Sequence, residues 1–212
     1  MFPRRLQVWA RSLAEGVVTP LARVGITPNA VTIAGFIFNV VTAGVLATGH
    51  LSLGGVLLFV SGLFDMLDGA LARVTAQQSS FGAFLDSLLD RYSEAAVLLA
   101  LIYVFTVRHN TLVVLLVYGV AMGSILISYA RARAEGLGLE AKVGVAPRPE
   151  RVLILGLGLL VNTTTTVVAL IILALLTHIT ALQRLYHVWR QTRDERLKPA
   201  PRRRKATETR PT

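Results

Sequence analysis

Six apolar stretches, separated by short polar breaks, make up most of the chain. The first opens at Thr27-Pro28-Asn29, where Thr27 can cap a helix and Pro28 suits its first position. It runs to about Gly49. A turn from His50 to Ser52 leads into a second run, from about Leu53 to Val74. Polar residues from Thr75 to Ser80 precede the third, from about Phe81 to Phe105, and Arg108-His109 separate it from the fourth, Thr111 to Tyr129. The fourth pattern continues as a helix through Glu135 until Gly136 and Gly138 end it. The fifth begins near Pro149 and its apolar part ends near Val161, which is short for a crossing. Asn162 and Thr163 to Thr166 read as an outer turn, and the sixth run extends from about Val167 to Leu185. The longer runs approach the roughly 20 residues that carry a helix across a bilayer. The pattern therefore predicts an all-α integral membrane protein with six transmembrane helices.

The two ends read differently. Phe2, Leu6, Trp9 and Leu13 fall on one helical stripe, while Arg4, Arg5 and Arg11 lie off it. That predicts an N-terminal amphipathic helix lying in the membrane interface, and these residues lack the continuous apolar core of a signal peptide. The expected organisation is one membrane domain over residues 1–190, comprising an interfacial helix and linker (1–25) and a six-helix bundle (26–190). A polar tail over 191–212 follows; with Pro199, Pro201, Pro211 and Arg202-Arg203-Arg204-Lys205, it reads as disordered.

Composition narrows the class. Of 212 residues, 53% are apolar and 16% charged, with a mean hydropathy of +0.59. That excludes an ordinary soluble domain. The net charge of +10 requires no nucleic-acid partner, because membrane proteins collect Lys and Arg on the cytoplasmic side, where anionic lipid also lies. With both termini inside, only Arg108 of the 22 Lys and Arg falls in an outer turn, and Arg91 lies within the third run. The remaining 20 are inside or at the inner edge, which supports six spans with both termini cytoplasmic. The absence of Cys excludes disulfides, thiolate metal sites and a Cys nucleophile.

Four carboxylates interrupt otherwise apolar helices. Asp65 and Asp68 stand at i and i+3, and Asp86 and Asp90 at i and i+4 of the next helix, so each pair shares a face. If the helices are antiparallel neighbours, all four can converge. A carboxylate at membrane depth is costly unless something pairs with it. Four hard oxygen donors suit Mg²⁺ or Mn²⁺ rather than zinc. Gly69, Ala72 and Gly82 allow close helix approach or leave room for a ligand, and Arg73 could reach a phosphate. Divalent cations would clamp a diphosphate while a spare carboxylate took a proton from an attacking hydroxyl. The acids alone equally suit a proton or cation path in a transporter, or ion pairs with Arg73 and Arg91; a non-catalytic adaptor with a lipid-touching basic tail is a third reading. Glu94, one turn past Asp90, suits a salt bridge, a dimer contact or the site.

The pattern D-x2-D-G-x2-A-R-x8-G-x3-D-x3-D, formed by Asp65, Asp68, Gly69, Ala72, Arg73, Gly82, Asp86 and Asp90, resembles the signature of the CDP-alcohol phosphatidyltransferases. The likeness in layout covers residues 1 to 190. It implies attack of an alcohol on the β-phosphate of a CDP-linked lipid donor, releasing CMP. It further implies two metal ions held by Asp65, Asp68 and Asp86, with Asp90 completing the site and acting as general base. Gly69, Ala72, Arg73 and Gly82 would line the CDP pocket, and Asn29 and Thr32 of Pro28-Asn29-x-x-Thr32 resemble a stretch near the nucleotide. Homodimerisation and a prokaryotic cell membrane, with the active site facing the cytoplasm, follow from the same resemblance.

The run from Ser128 to Glu135, Arg148-Pro149-Glu150-Arg151 and Gln183-Arg184 resemble the phosphatidylinositol phosphate and archaetidylinositol phosphate synthase branch. That likeness implies an inositol phosphate acceptor whose phosphate is held by Arg131, Arg133, Arg151 and Arg184. The family often has Lys at the position of Arg131, a departure that keeps the charge. These arginines also fit plain positive-inside residues, and Arg148 reads as structural. Glycerol 3-phosphate is the alternative acceptor.

Overall fold

The structure, a computed structural model, describes residues 18–197, with side chains through residue 193. The interfacial-helix expectation for residues 2 to 14 and most of the tail lie outside the described residues. After a helical stretch over 18–23, six helices follow: α1 Pro28–Ala47, α2 Leu51–Val74, α3 Ser80–Val107, α4 Thr111–Glu135, α5 Arg148–Val161 and α6 Thr163–Leu197. There are no strands among the described residues.

The helix starts follow local hydrogen-bonding chemistry. Thr27 Oγ1 accepts from the Ala30 amide at 3.3 Å, Ser79 Oγ from Gly82 at 3.0 Å, and Asn110 Oδ1 from Val113 at 3.2 Å. Each satisfies an amide that has no partner within its helix. The expected outer turn from Asn162 to Thr166 shrinks to Asn162 alone, and the threonines form the first turn of α6. The reason lies in their hydroxyls. Asn162 and Thr165 cap one another, with Thr165 N donating to Asn162 Oδ1 at 2.9 Å and Asn162 N to Thr165 Oγ1 at 3.0 Å. Thr166 Oγ1 also donates to the Gly158 carbonyl at 3.1 Å, near the end of α5. At the other end, α6 runs on through 191–197, where a disordered tail was expected. Gln191 ties this extension to the 136–147 loop by donating to the Glu140 carbonyl at 3.0 Å.

The helices close a ring: α1 packs on α2 and α3, α3 on α4, α4 on α6, α6 on α5, and α5 on α2. Leu46, Leu58, Leu101, Phe105, Val117, Leu159, Leu170 and Leu173 fill the centre. The ring closes where α2 and α5 nearly touch. A Cβ on Gly55 would stand 3.0 Å from both the Gly156 carbonyl and Leu159 Cβ, and one on Gly156 would meet the Phe59 ring at 2.6 Å. Small residues permit such approach in membrane helices, where backbone packing replaces a hydrophobic drive.

Among the described residues four helices, α1, α2, α4 and α6, are long and apolar enough to cross a membrane, so the chain is a multi-pass membrane protein. The 14 residues of α5 rise only about 21 Å, short of the roughly 30 Å hydrocarbon core. α3 is long enough but carries Asp86, Asp90, Arg91 and Glu94.

Gly55→Val should separate α2 from α5 and lower stability by about 1–3 kcal/mol. Thermal unfolding in detergent measures this; an unchanged midpoint would contradict the close crossing.

Candidate active site

The last turns of α2 and the first turns of α3 build one end of the bundle. Ala76, at φ 52°, turns the chain out of α2 while its amide donates to the Arg73 carbonyl at 3.4 Å and that of Gln77 to Ala72 at 3.1 Å. Three residues later Ser79 caps α3. The acids on the two helices thereby come together within a short reach of chain.

A cleft of about 330 Å³ opens between these turns and the start of α1. α1 contributes Pro28, Asn29 and Thr32; α2 contributes Asp68, Gly69, Ala72 and Arg73; α3 contributes Gly82, Ala83 and Asp86. Thus the structure brings Asn29, Thr32, Gly69, Ala72, Arg73 and Gly82 to one wall with two of the four acids. Thr32 Oγ1 donates to Asp68 Oδ2 at 2.8 Å, and Asp68 is only 8% exposed. A Cβ on Gly82 would press to 3.0 Å of Asn29 Oδ1, so the missing side chain lets α3 close on α1. Gln77, Gln78 and Ser79 also line the cleft. The motif leaves these positions unspecified, and no signal in the sequence marks them.

A second recess, of about 90 Å³, lies one turn further along α3, at Asp90. It is lined by Asp90, Arg91 and Glu94 of α3, Ser128 and Arg131 of α4, Arg148 and Arg151 at the start of α5, and Arg184 of α6. The structure brings Arg131, Arg151 and Arg184 together here, but not Arg133. Two residues past Arg131 on a helix, Arg133 lies about 200° around the axis and is exposed. That phase keeps Arg133 out of the recess lining.

The arginines differ in their anchors. Arg151, 5% exposed, grips Glu94 with both arms, Nε to Oε1 at 3.0 Å and Nη2 to Oε2 at 2.9 Å. It also donates to the Ala146 carbonyl at 3.1 Å. Arg184 donates to the Ile127 carbonyl at 2.6 Å and to Val143 at 3.0 Å, buckling α4 to the loop before α5. Arg131 pairs with Glu135 at 2.9 Å on an exposed face. Glu94, which the sequence left open, is the partner of a buried ion pair.

Arg148 bridges α2 and α3 from the start of α5. Its Nη1 donates to Asp65 Oδ2 and stands 2.7 Å from Asp90 Oδ1. Arg91 adds a weaker contact to Asp90 at 3.8 Å. Sequence reasoning took Arg148 for a structural residue; its position beside Pro149 at a helix start was the available signal, but its partners lie on two other helices. The four carboxylates consequently do not close on a single point. Asp68 and Asp86 face the cleft, Asp65 and Asp90 share Arg148, and among the described residues no three acidic or His side chains stand ready as a ligand set. The donor chemistry nevertheless fits a hard divalent cation. Asp68 feels the charges of both Asp86 and Asp65, and one close guanidinium against four carboxylates leaves an excess of negative charge on part-buried ground.

The family model described as CDP-alcohol phosphatidyltransferase matches residues 25–190. An archaetidylinositol phosphate synthase of Pyrococcus horikoshii is 38% identical over 117 residues, 55% of this chain. The chain spans 60% of that relative, under two thirds of its length. A crystal structure of the Mycobacterium tuberculosis phosphatidylinositol phosphate synthase PgsA1 with CDP-DAG bound superposes with a TM-score of 0.80 at 35% identity. The superposition covers 84% of this chain and 94% of that one. The same synthase in complex with manganese and citrate gives a TM-score of 0.78 at 35% identity, over 83% of this chain and 88% of that one.

Arg151→Met should strand the Glu94 charge and destabilise the fold by about 3–5 kcal/mol, while Glu94→Leu combined with Arg151→Met recovers most of the loss. Unfolding midpoints of the two variants decide this; equal midpoints would contradict the ion-pair account.

Proposed function

The chain belongs to the CDP-alcohol phosphatidyltransferase family, and from that premise we propose that it transfers a phosphatidyl-type group from a CDP-linked lipid to inositol phosphate, releasing CMP. One observation carries the proposal: the cleft lined by the motif residues reaches Asp86 and the arginine-lined recess reaches Asp90, one turn further along α3. A donor in the cleft and an anionic acceptor in the recess would face each other across that turn.

In this reading Asn29, Thr32, Gly69, Ala72, Arg73 and Gly82 hold the CDP moiety. Asp65, Asp68, Asp86 and Asp90 hold two Mg²⁺ or Mn²⁺ ions. Bound there, these ions would neutralise the diphosphate and the charge that develops on departing CMP. Arg131, Arg151 and Arg184 border the space for the acceptor's phosphate, a dianion that forked guanidinium groups suit. The acceptor hydroxyl oxygen attacks the β-phosphorus, Asp90 takes the hydroxyl proton, and the bond from the β-phosphorus to the bridging oxygen breaks as CMP leaves. Glycerol 3-phosphate carries the same phosphate and is the alternative acceptor that the recess would admit.

The inositol phosphate assignment is supported by the names of the relatives and by the arginine recess. Six crossings with both termini cytoplasmic are supported by the ring of six helices and the inner bias of Lys and Arg. In this reading the site faces the cytoplasm of a prokaryotic cell. In the same reading residues 1–190 form the membrane domain and two chains form a homodimer.

Asp90→Asn should lower CMP release by more than about 100-fold while the variant stays folded by circular dichroism; wild-type turnover would remove Asp90 as the base. Arg131→Ala should raise the KM for inositol phosphate about tenfold, the effect of losing ~1.4 kcal/mol of a charge-assisted contact. The KM for the CDP-lipid should stay unchanged, and an equal rise in both would contradict the acceptor recess.

A further inference from the structure

Five arginines line the acceptor recess near Asp90, and Arg148 differs from the other four. Arg151 is committed to Glu94, Arg184 to two backbone carbonyls, Arg131 to Glu135 and Arg91 to the Ser87 carbonyl of its own helix. Arg148 is bound to Asp65 and Asp90, two of the carboxylates that the reaction itself needs. Its Nε is buried and has no hydrogen-bond partner. Its backbone sits between Pro147 and Pro149 at the first turn of α5, so φ is fixed on both sides. The flanking prolines restrain the backbone there, so the side chain is the freer element.

We infer that Arg148 is a latch: its guanidinium exchanges Asp65 and Asp90 for the acceptor's phosphate, releasing both carboxylates once that phosphate occupies the recess. The inference rests on the function proposed above and adds an order of events to it. A guanidinium and a divalent cation compete for the same carboxylate oxygens. A phosphate in the recess offers Arg148 a dianionic partner with a better fork geometry. It arrives at a helix start, where the first amides of α5 favour an anion. Phosphate and metal then reinforce each other, and by linkage the reinforcement is mutual. The latch also has a chemical use. Until a phosphorylated acceptor arrives, Asp90 is engaged and cannot activate water against the donor.

The test is the Mn²⁺ affinity of the purified full chain in nanodiscs, followed by the electron paramagnetic resonance of free Mn²⁺. It is measured with and without inorganic phosphate, and free Mn²⁺ is corrected for its phosphate complex. For the wild type, phosphate should tighten Mn²⁺ binding about tenfold, within the usual span of coupling between sites. Arg148→Ala should bind Mn²⁺ tightly without phosphate and show no further gain. Arg148→Gln, which keeps more of the side-chain bulk, serves if the alanine variant fails to fold. Wild-type affinity that ignores phosphate would overturn the latch. So would a phosphate effect that survives in Arg148→Ala, since Arg91, Arg131, Arg151 and Arg184 would then couple the two ligands without it. CMP release from CDP-diacylglycerol, run alongside, separates the two claims. Turnover without a phosphate effect on Mn²⁺ overturns the latch alone. No turnover with any phosphorylated alcohol overturns the proposed function, and the Mn²⁺ titration still decides the latch.

Discussion

Unbalanced negative charge at the end of α2 and the start of α3 constrains the rest of this bundle. Carboxylates at membrane depth persist only with partners. Asp65 and Asp90 share Arg148, Asp68 takes the hydroxyl of Thr32, and Glu94 takes the fork of Arg151. Every one of these contacts crosses from one helix to another. The acids therefore dictate which helices must be neighbours. α1 must reach α2 with Thr32, and α5 must deliver Arg148 and Arg151 to α2 and α3. The ring of six helices is the arrangement that meets those demands.

The small residues follow from the same requirement. Gly82 lets α3 approach Asn29, and Gly55 with Gly156 lets α5 lie against α2. Without that contact Arg148 would start too far from Asp65. The loop before α5 is held as tightly as the helices. Arg184 clasps it at Val143, and Thr180 accepts from the Ala146 amide at 3.2 Å. A connection that might have been free to wander is thus fastened to α6 on the side where it presents its arginines.

Much of this was legible in the residues. The bounds of α4 agree with the reading at both ends, because Asn110 and Gly136 are strong local signals. The cleft was legible through the family resemblance of the motif on α2 and α3 and of Asn29 and Thr32 on α1, while helical spacing alone said only that the acids share faces. What escaped depends on partners distant in sequence or on helical phase. Arg148 meets Asp65 across 83 positions, and nothing local distinguishes that from an arginine at a membrane edge. The family resemblance groups Arg133 with Arg131, whereas the helix turns it away from the recess. Asn162 to Thr166 read as a polar turn because threonine hydroxyls can satisfy the backbone of a helix as well as that of a loop. Shared faces also say which acids can converge, but not that an arginine from a third helix will stand between them.

The most direct test of the account is CMP release by the purified wild-type chain supplied with CDP-diacylglycerol and Mg²⁺. Inositol phosphate, glycerol 3-phosphate, inositol and no acceptor are compared, each with and without chelator. The account predicts release with inositol phosphate alone, abolished by the chelator. Release with unphosphorylated inositol at an equal rate would contradict the role given to the arginine recess, and release that survives chelation would contradict the role given to the four aspartates.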